Sequence, residues 1–370
     1  MIPSPLGASD VIVVGDGIVG LSIAHALASR GISAHVIGER LPGAASIAAA
    51  GLLSPSGGTL PESVRAFMTA ARDAYPSFVT RLEHDTGRTI PLNRLGILEI
   101  AVDDDELADL VKSAPAGTDL LSQTELARDE PSLAHARGAL LHPNDGFVDN
   151  RAVVEALDEW VARSTLVRRS TALVRSVELD RSSAVVTASG DRFACDTVVL
   201  AAGAWTRAIS GIPRELPVFP LRGQMLAVDG QPLRHAVMGT PGYLVPRRGC
   251  AFVGSTLEPG SFDSQPTSAD IEDLRARLRQ LCPALGDAAE RARWAGVRPA
   301  TPDMRPIIDR ESRAESLIYA CGHSKNGILL APLTGDCVAD LITKGSSRID
   351  LRAFAASRFD AHLKTERANL

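Results

Sequence analysis

The stretch "VIVVGDGIVGLSIAHAL", Val11 to Leu27, constrains this chain more than any other. The run from Asp10 to Val14 is short, apolar and β-branched, and reads as a buried strand. Gly15, Gly17 and Gly20 follow at G-x-G-x-x-G spacing. Leu21, Ile23, Ala24, Leu27 and Ala28 then recur with helical period until Gly31, and Ala34 to Ile37 reads as a second strand. In that β-α-β setting each glycine has its own task. Gly15 makes the turn, Gly17 lets backbone approach a pyrophosphate, and Gly20 lets the helix pack on the strand. The spacing predicts a nucleotide cradle. An acid for the ribose hydroxyls is expected roughly 20 residues on. That position falls on Gly38, with Glu39 one residue later. Either a one-residue bulge brings Glu39 into place or another group holds the ribose. The fingerprint alone leaves NAD and FAD both open.

Acidic residues outnumber basic ones, 44 to 39, so no excess of positive charge is present to neutralise phosphates, and nucleic acid is not an expected partner. No apolar run approaches the roughly 20 residues of a membrane span. The five cysteines lie apart, without metal-ligand spacing, which predicts free thiols and no metal site. The opening "MIPSPLGASD" lacks the basic and apolar regions of a signal peptide, and the expected location is cytoplasmic. Helices are expected from Asn150, read as an N-cap, and from Thr267, with Asp270 three residues later. "SAVVTAS" and "CAFVGST" alternate as strands. Pro332 suits the first turn of a helix through "LTGDCVADLI".

Further along, "SIAAAGLLSP" (Ser46 to Pro55) is built from small residues, which let backbone lie flat against a planar ring. With the fingerprint, "GFVDN", "VVLAAGAWT", "GYLVPR", "GVRPATPDMRPIID" and "GHSKNGILLAP" follow in order across nearly the whole chain. This set resembles the FAD-dependent amino-acid oxidases of the glycine oxidase type, relatives of the D-amino-acid and sarcosine oxidases. The resemblance implies an α/β and α+β chain in which a Rossmann-type FAD-binding domain is interleaved with an antiparallel-sheet substrate domain. The expected FAD-binding pieces are 9–85, 147–214 and 297–365, and the substrate-binding pieces 86–146 and 215–296. The cofactor contacts it implies are Gly15, Gly17, Ile18, Val19, Gly20, Glu39, Ser46, Ala49, Ala50, Gly51, Leu52, Val174, Ala202, Gly203, Trp205, Arg298, His323, Lys325, Asn326, Gly327, Ile328 and Leu329. The "RPATPDM" segment holds no cysteine where sarcosine oxidases attach their flavin, so non-covalent FAD is expected.

Oxidising an amino acid requires the substrate carboxylate to be fixed, and the resemblance assigns that to Arg298, whose planar fork matches a carboxylate bidentately. Tyr243 is expected to add a hydrogen bond. Lys325 stands where glycine oxidases usually carry arginine, and either covers the substrate site or points to solvent. His323 lies near the ring or is a satisfied loop histidine. Leu52, Leu53 and Met238 are candidates for the pocket wall. The implied reaction is oxidative deamination of glycine or a small amine or D-amino acid with O2, feeding thiamine thiazole synthesis, in a homo-oligomer. The alternatives are a D-amino-acid dehydrogenase that passes electrons to a quinone, and an inactive flavoprotein scaffold.

Overall fold

The computed structural model describes residues 9–55, 60–180 and 183–360; the expected end of the nucleotide-binding part at 365 lies outside them. The chain is a mixed α/β protein built on two large sheets. The first runs in the order Val174–Leu179, Ala184–Ala188, Asp191–Leu200, Ser9–Val14, Ala34–Ile37, Val167–Ser170. Leu317–Cys321 joins parallel to the end of Asp191–Leu200, and Ile307–Arg310 pairs with it in turn.

The apolar run of the fingerprint strand is buried on both faces, and its side chains part company by alternation. Val11 and Val13 face the helices Ile18–Ala28, Glu62–Thr86, Asn150–Arg163 and Gly327–Lys344. Ile12 and Val14 face the antiparallel strands of the 174–200 stretch. Two covered faces are why this strand reads as a continuous apolar run.

The second sheet runs Glu258–Pro259, Phe219–Asp229, Cys250–Gly254, Gly242–Arg247, Ala236–Gly239, Ile97–Ala101, Gly138–His142, Asp119–Ser122, with Glu290–Ala300 along the other edge of Phe219–Asp229. One face is covered by the helix Ser268–Leu281, which buries Ile271, Leu274 and Leu278 against Leu226, Leu244 and Val253. The opposite face presents Met225, Met238, Tyr243 and Phe252 toward the small-residue segment. Glu290–Ala300 pairs without interruption through residues 296 and 297, so one strand belongs to both expected pieces.

Two local expectations are corrected. Asn150 does not cap its helix: Asp149 does, accepting from the N–H groups of Arg151 and Ala152. Asn150 is instead wholly buried and donates to the Ser46 carbonyl at 2.8 Å. Pro332 lies in the interior of Gly327–Lys344, not in its first turn. Proline cannot donate to the carbonyl four residues back, Ile328. The buried Tyr75 hydroxyl donates to that carbonyl instead, at 2.9 Å, and so permits the helix to start early. Thr267 does cap its helix through the Asp270 N–H.

Candidate active site

A cavity of about 710 Å³ opens where the carboxyl ends of the first sheet's parallel strands meet the second sheet. That is the position at which open α/β sheets bind ligands. Its floor is the glycine turn. Gly15 has φ +112°, and a Cβ there would lie 2.3 Å from the Ala201 carbonyl oxygen. Gly17 precedes the helix Ile18–Ala28 with no side-chain cap. The Ile18 N–H donates to Ser46 Oγ at 3.0 Å. The next N–H groups of that first turn have no acceptor within the helix and carry its positive end. A second helix start, at Gly327, also lacks a side-chain cap and borders the same cavity. A cradle with no room for a Cβ at Gly15, joined to two helix starts whose N-cap residues supply no side-chain cap, fits a dinucleotide with a charged or polarisable ring.

The small-residue segment forms one wall and is gripped by long side chains from distant elements. Arg247 donates to the carbonyls of Ala50 at 2.6 Å and Val148 at 3.0 Å. Its guanidinium lies between the Phe147 and Phe252 rings, 5.2 Å from each centroid. Burial pulls its pKa down to about 10, so it stays protonated at neutral pH. Trp294 Nε1 donates to the Ala48 carbonyl, and Asn150 to that of Ser46. Sequence reasoning found the segment but not its holders, because each lies far away in the chain.

Arg298 also lines the cavity, half-buried, with Nη2 donating to Ser255 Oγ at 2.7 Å and Nη1 near the Thr256 carbonyl at 3.4 Å. Among the described residues no carboxylate lies within 4.0 Å of it. Its guanidinium crosses the neighbouring strand over Gly223, where a Cβ would sit 2.0 Å from Nη1. Tyr243 also borders the cavity, its hydroxyl donating to Met225 Sδ at 3.2 Å. Its ring occupies space left by Gly254, its partner across the strand pair. Ser255, Gly223 and Gly254 carried no signal that sequence alone would raise.

His323 is buried against the cavity and paired with Thr334 Oγ1 at 3.1 Å, and burial pushes its pKa down to about 3. It is therefore neutral. Lys325 is exposed at the cavity's edge, so it both borders the site and meets solvent. Glu39 is likewise exposed on the lining. Of the residues singled out, the walls do not include Gly20, Leu53 or Leu329. Gly20 packs on the Gly15 carbonyl, which a Cβ would meet at 1.9 Å. Leu53 and Leu329 are buried in the helical core. All the other cofactor, substrate and pocket-wall candidates border the cavity.

Residues 10–341 match the family described as FAD dependent oxidoreductase. The chain is 36% identical over 365 residues to the bifunctional protein ThiO/ThiG of Synechocystis sp., covering 95% of this chain but 54% of that protein. It thus spans about half the length of the bifunctional relatives. It is 31% identical over 369 residues to the glycine oxidase of Geobacillus kaustophilus, covering 94% of this chain and 97% of that one. The crystal structure of glycine oxidase from Geobacillus kaustophilus superposes with a TM-score of 0.89 at 30% identity, over 95% of this chain and 99% of that chain.

Proposed function

The chain belongs to the family of FAD-dependent oxidoreductases, and on that premise we propose that it oxidises the Cα–N bond of glycine or a similarly small amine. The imine is then hydrolysed by water to a 2-oxo acid and ammonia. The observation that carries this reading is Arg298, a guanidinium on the cavity wall held by Ser255 with no acidic partner among the described residues. FAD, when bound, would supply the redox chemistry, as acceptor of the Cα hydride and as the route for two electrons to O2, with H2O2 as the reduced product.

The residues have complementary tasks in this reading. Arg298 offers its remaining N–H groups as a fork for the substrate carboxylate. Tyr243 can turn its hydroxyl from Met225, because a thioether is a weak acceptor. The helix Gly327–Lys344 starts at the cavity without an N-cap side chain, and the positive end of its dipole suits negative charge on the ring. Neutral His323, fixed on Thr334, moves no proton, and the amine releases hydride without a protein base. The absence of any cysteine in "RPATPDM" supports non-covalent FAD. The glycine oxidase and ThiO/ThiG likenesses support glycine as substrate and supply of its imine for the thiazole of thiamine. Five buried free thiols fit a reducing, cytoplasmic home, and no helix among the described residues is long and apolar enough to cross a membrane.

Anaerobic addition of glycine to the purified flavoprotein tests the reading. Bleaching of the visible flavin band, then recovery with peroxide on readmitting air, is expected. A loaded flavin that glycine, sarcosine and D-alanine all leave unbleached would reject it.

A further inference from the structure

We infer that Asp16, the second residue of the glycine fingerprint, supplies the carboxylate that holds the adenosine ribose of FAD in this chain. The usual place for that acid, at the end of the second strand, is taken by Gly38. A Cβ built at Gly38 would lie 2.7 Å from the Asp16 backbone nitrogen and 3.1 Å from both Asp16 Cβ and Oδ1. The Asp16 side chain thus fills the volume that a side chain at position 38 would enter. It reaches the same spot from the adjacent strand end.

Its carboxylate is buried, lines the cavity and is held in place. Arg169 donates to Oδ2 and also to Asp158. Arg40 bridges Asp158 and the Asp16 carbonyl. Two acids and two arginines balance, so the cluster fixes Asp16 without adding net charge beside a pyrophosphate. Among the described residues no side chain bonds to Glu39, which is exposed and must lose its rotamer freedom on binding anything. A pre-positioned acid accepts a ribose hydroxyl at smaller entropic cost. Arg169 acts here as a positioning residue, through Asp16.

The test compares FAD with FMN, which lacks the adenosine half, on apoprotein stripped of flavin, reading flavin fluorescence quenching. Asp16→Asn is expected to weaken FAD by about tenfold or more while leaving FMN affinity unchanged. Glu39→Gln is expected to leave both unchanged. Weakened FAD in Glu39→Gln with wild-type affinity in Asp16→Asn would assign the ribose to Glu39 and overturn the inference. Equal losses for FAD and FMN in Asp16→Asn would make Asp16 merely structural. Should that variant fail to fold, Arg169→Gln leaves the carboxylate in place but unheld; a smaller loss for FAD alone is expected, and unaltered FAD affinity there would overturn the assignment. None of these outcomes depends on which amine is oxidised.

Discussion

Arg298 illustrates how much one residue's meaning depends on neighbours that sequence does not advertise. Its fork is aimed by Ser255 and made possible by Gly223. Arg298→Ala should lower kcat/KM for glycine by about 10²- to 10³-fold with flavin content unchanged, since truncating a desolvated charge partner costs several kcal/mol. Gly223→Ala, distant in sequence, should raise KM in the same direction; steady-state kinetics on flavin-loaded protein would check both, and a normal KM in Gly223→Ala would argue against the steric coupling. Histidines set the response to acid. Burial holds His25 and His35 at about 4 and His323 at about 3, below the ordinary 6.5. Each binds a proton more readily when unfolded, so its contribution is intact above pH 6.5 and is lost as pH falls toward those values. Urea midpoints should therefore drop between about pH 7 and 4.5, and His323→Gln should flatten that drop by about 1–2 kcal/mol. A variant whose profile parallels the wild type would remove His323 from the account.

At the scale of elements, the helix Gly327–Lys344 shows a long-range hydrogen bond making a local irregularity tolerable. Pro332 leaves the Ile328 carbonyl without its helical donor, and Tyr75, from the helix Glu62–Thr86, supplies one. Tyr75→Phe should cost about 1–3 kcal/mol, the usual penalty for orphaning a buried acceptor. Pro332→Ala restores an N–H at the right place, so most of that cost should vanish when both changes are combined. Denaturant titrations of the four proteins give the coupling directly; additive losses would mean that the Tyr75 hydroxyl is not serving that carbonyl. Propensity places Pro332 at a helix start because it considers only the chain's own N–H groups. The start was displaced by a tyrosine more than 250 residues away.

The whole molecule brings the small-residue wall against the second sheet through Arg247, Trp294 and the Gly43 carbonyl, which accepts from the Val297 N–H at 2.8 Å. Arg247→Met keeps much of the apolar bulk but leaves the Ala50 and Val148 carbonyls without this donor. We expect about 2–4 kcal/mol lost in stability and faster flavin release, read by thermal melts and flavin retention through gel filtration. In the proposed reading FAD binds the folded chain across this seam, so stripping it should lower Tm, and added FAD should restore Tm in a concentration-dependent way. A Tm indifferent to FAD would mean that the folded chain does not bind it preferentially, and would count against a cofactor site at this seam.

Sequence by itself determined the glycine turn between the first strand and its helix, because tight turning and close helix packing are local demands that glycine at these spacings meets. It also determined the burial of the first strand and the order of the segments that resemble the oxidase family. It could not place Asn150 or Pro332, whose surroundings come from Ser46 and Tyr75. Nor could it say why Gly38 stands where an acid was expected. That answer lies in a contact between two strand ends, where the Asp16 side chain already fills the space. Tertiary structure alone decided which arginine is held bare of acid on a cavity wall and which, like Arg40, is neutralised. Charge pairing depends on distance through space, and spacing along the chain does not report it.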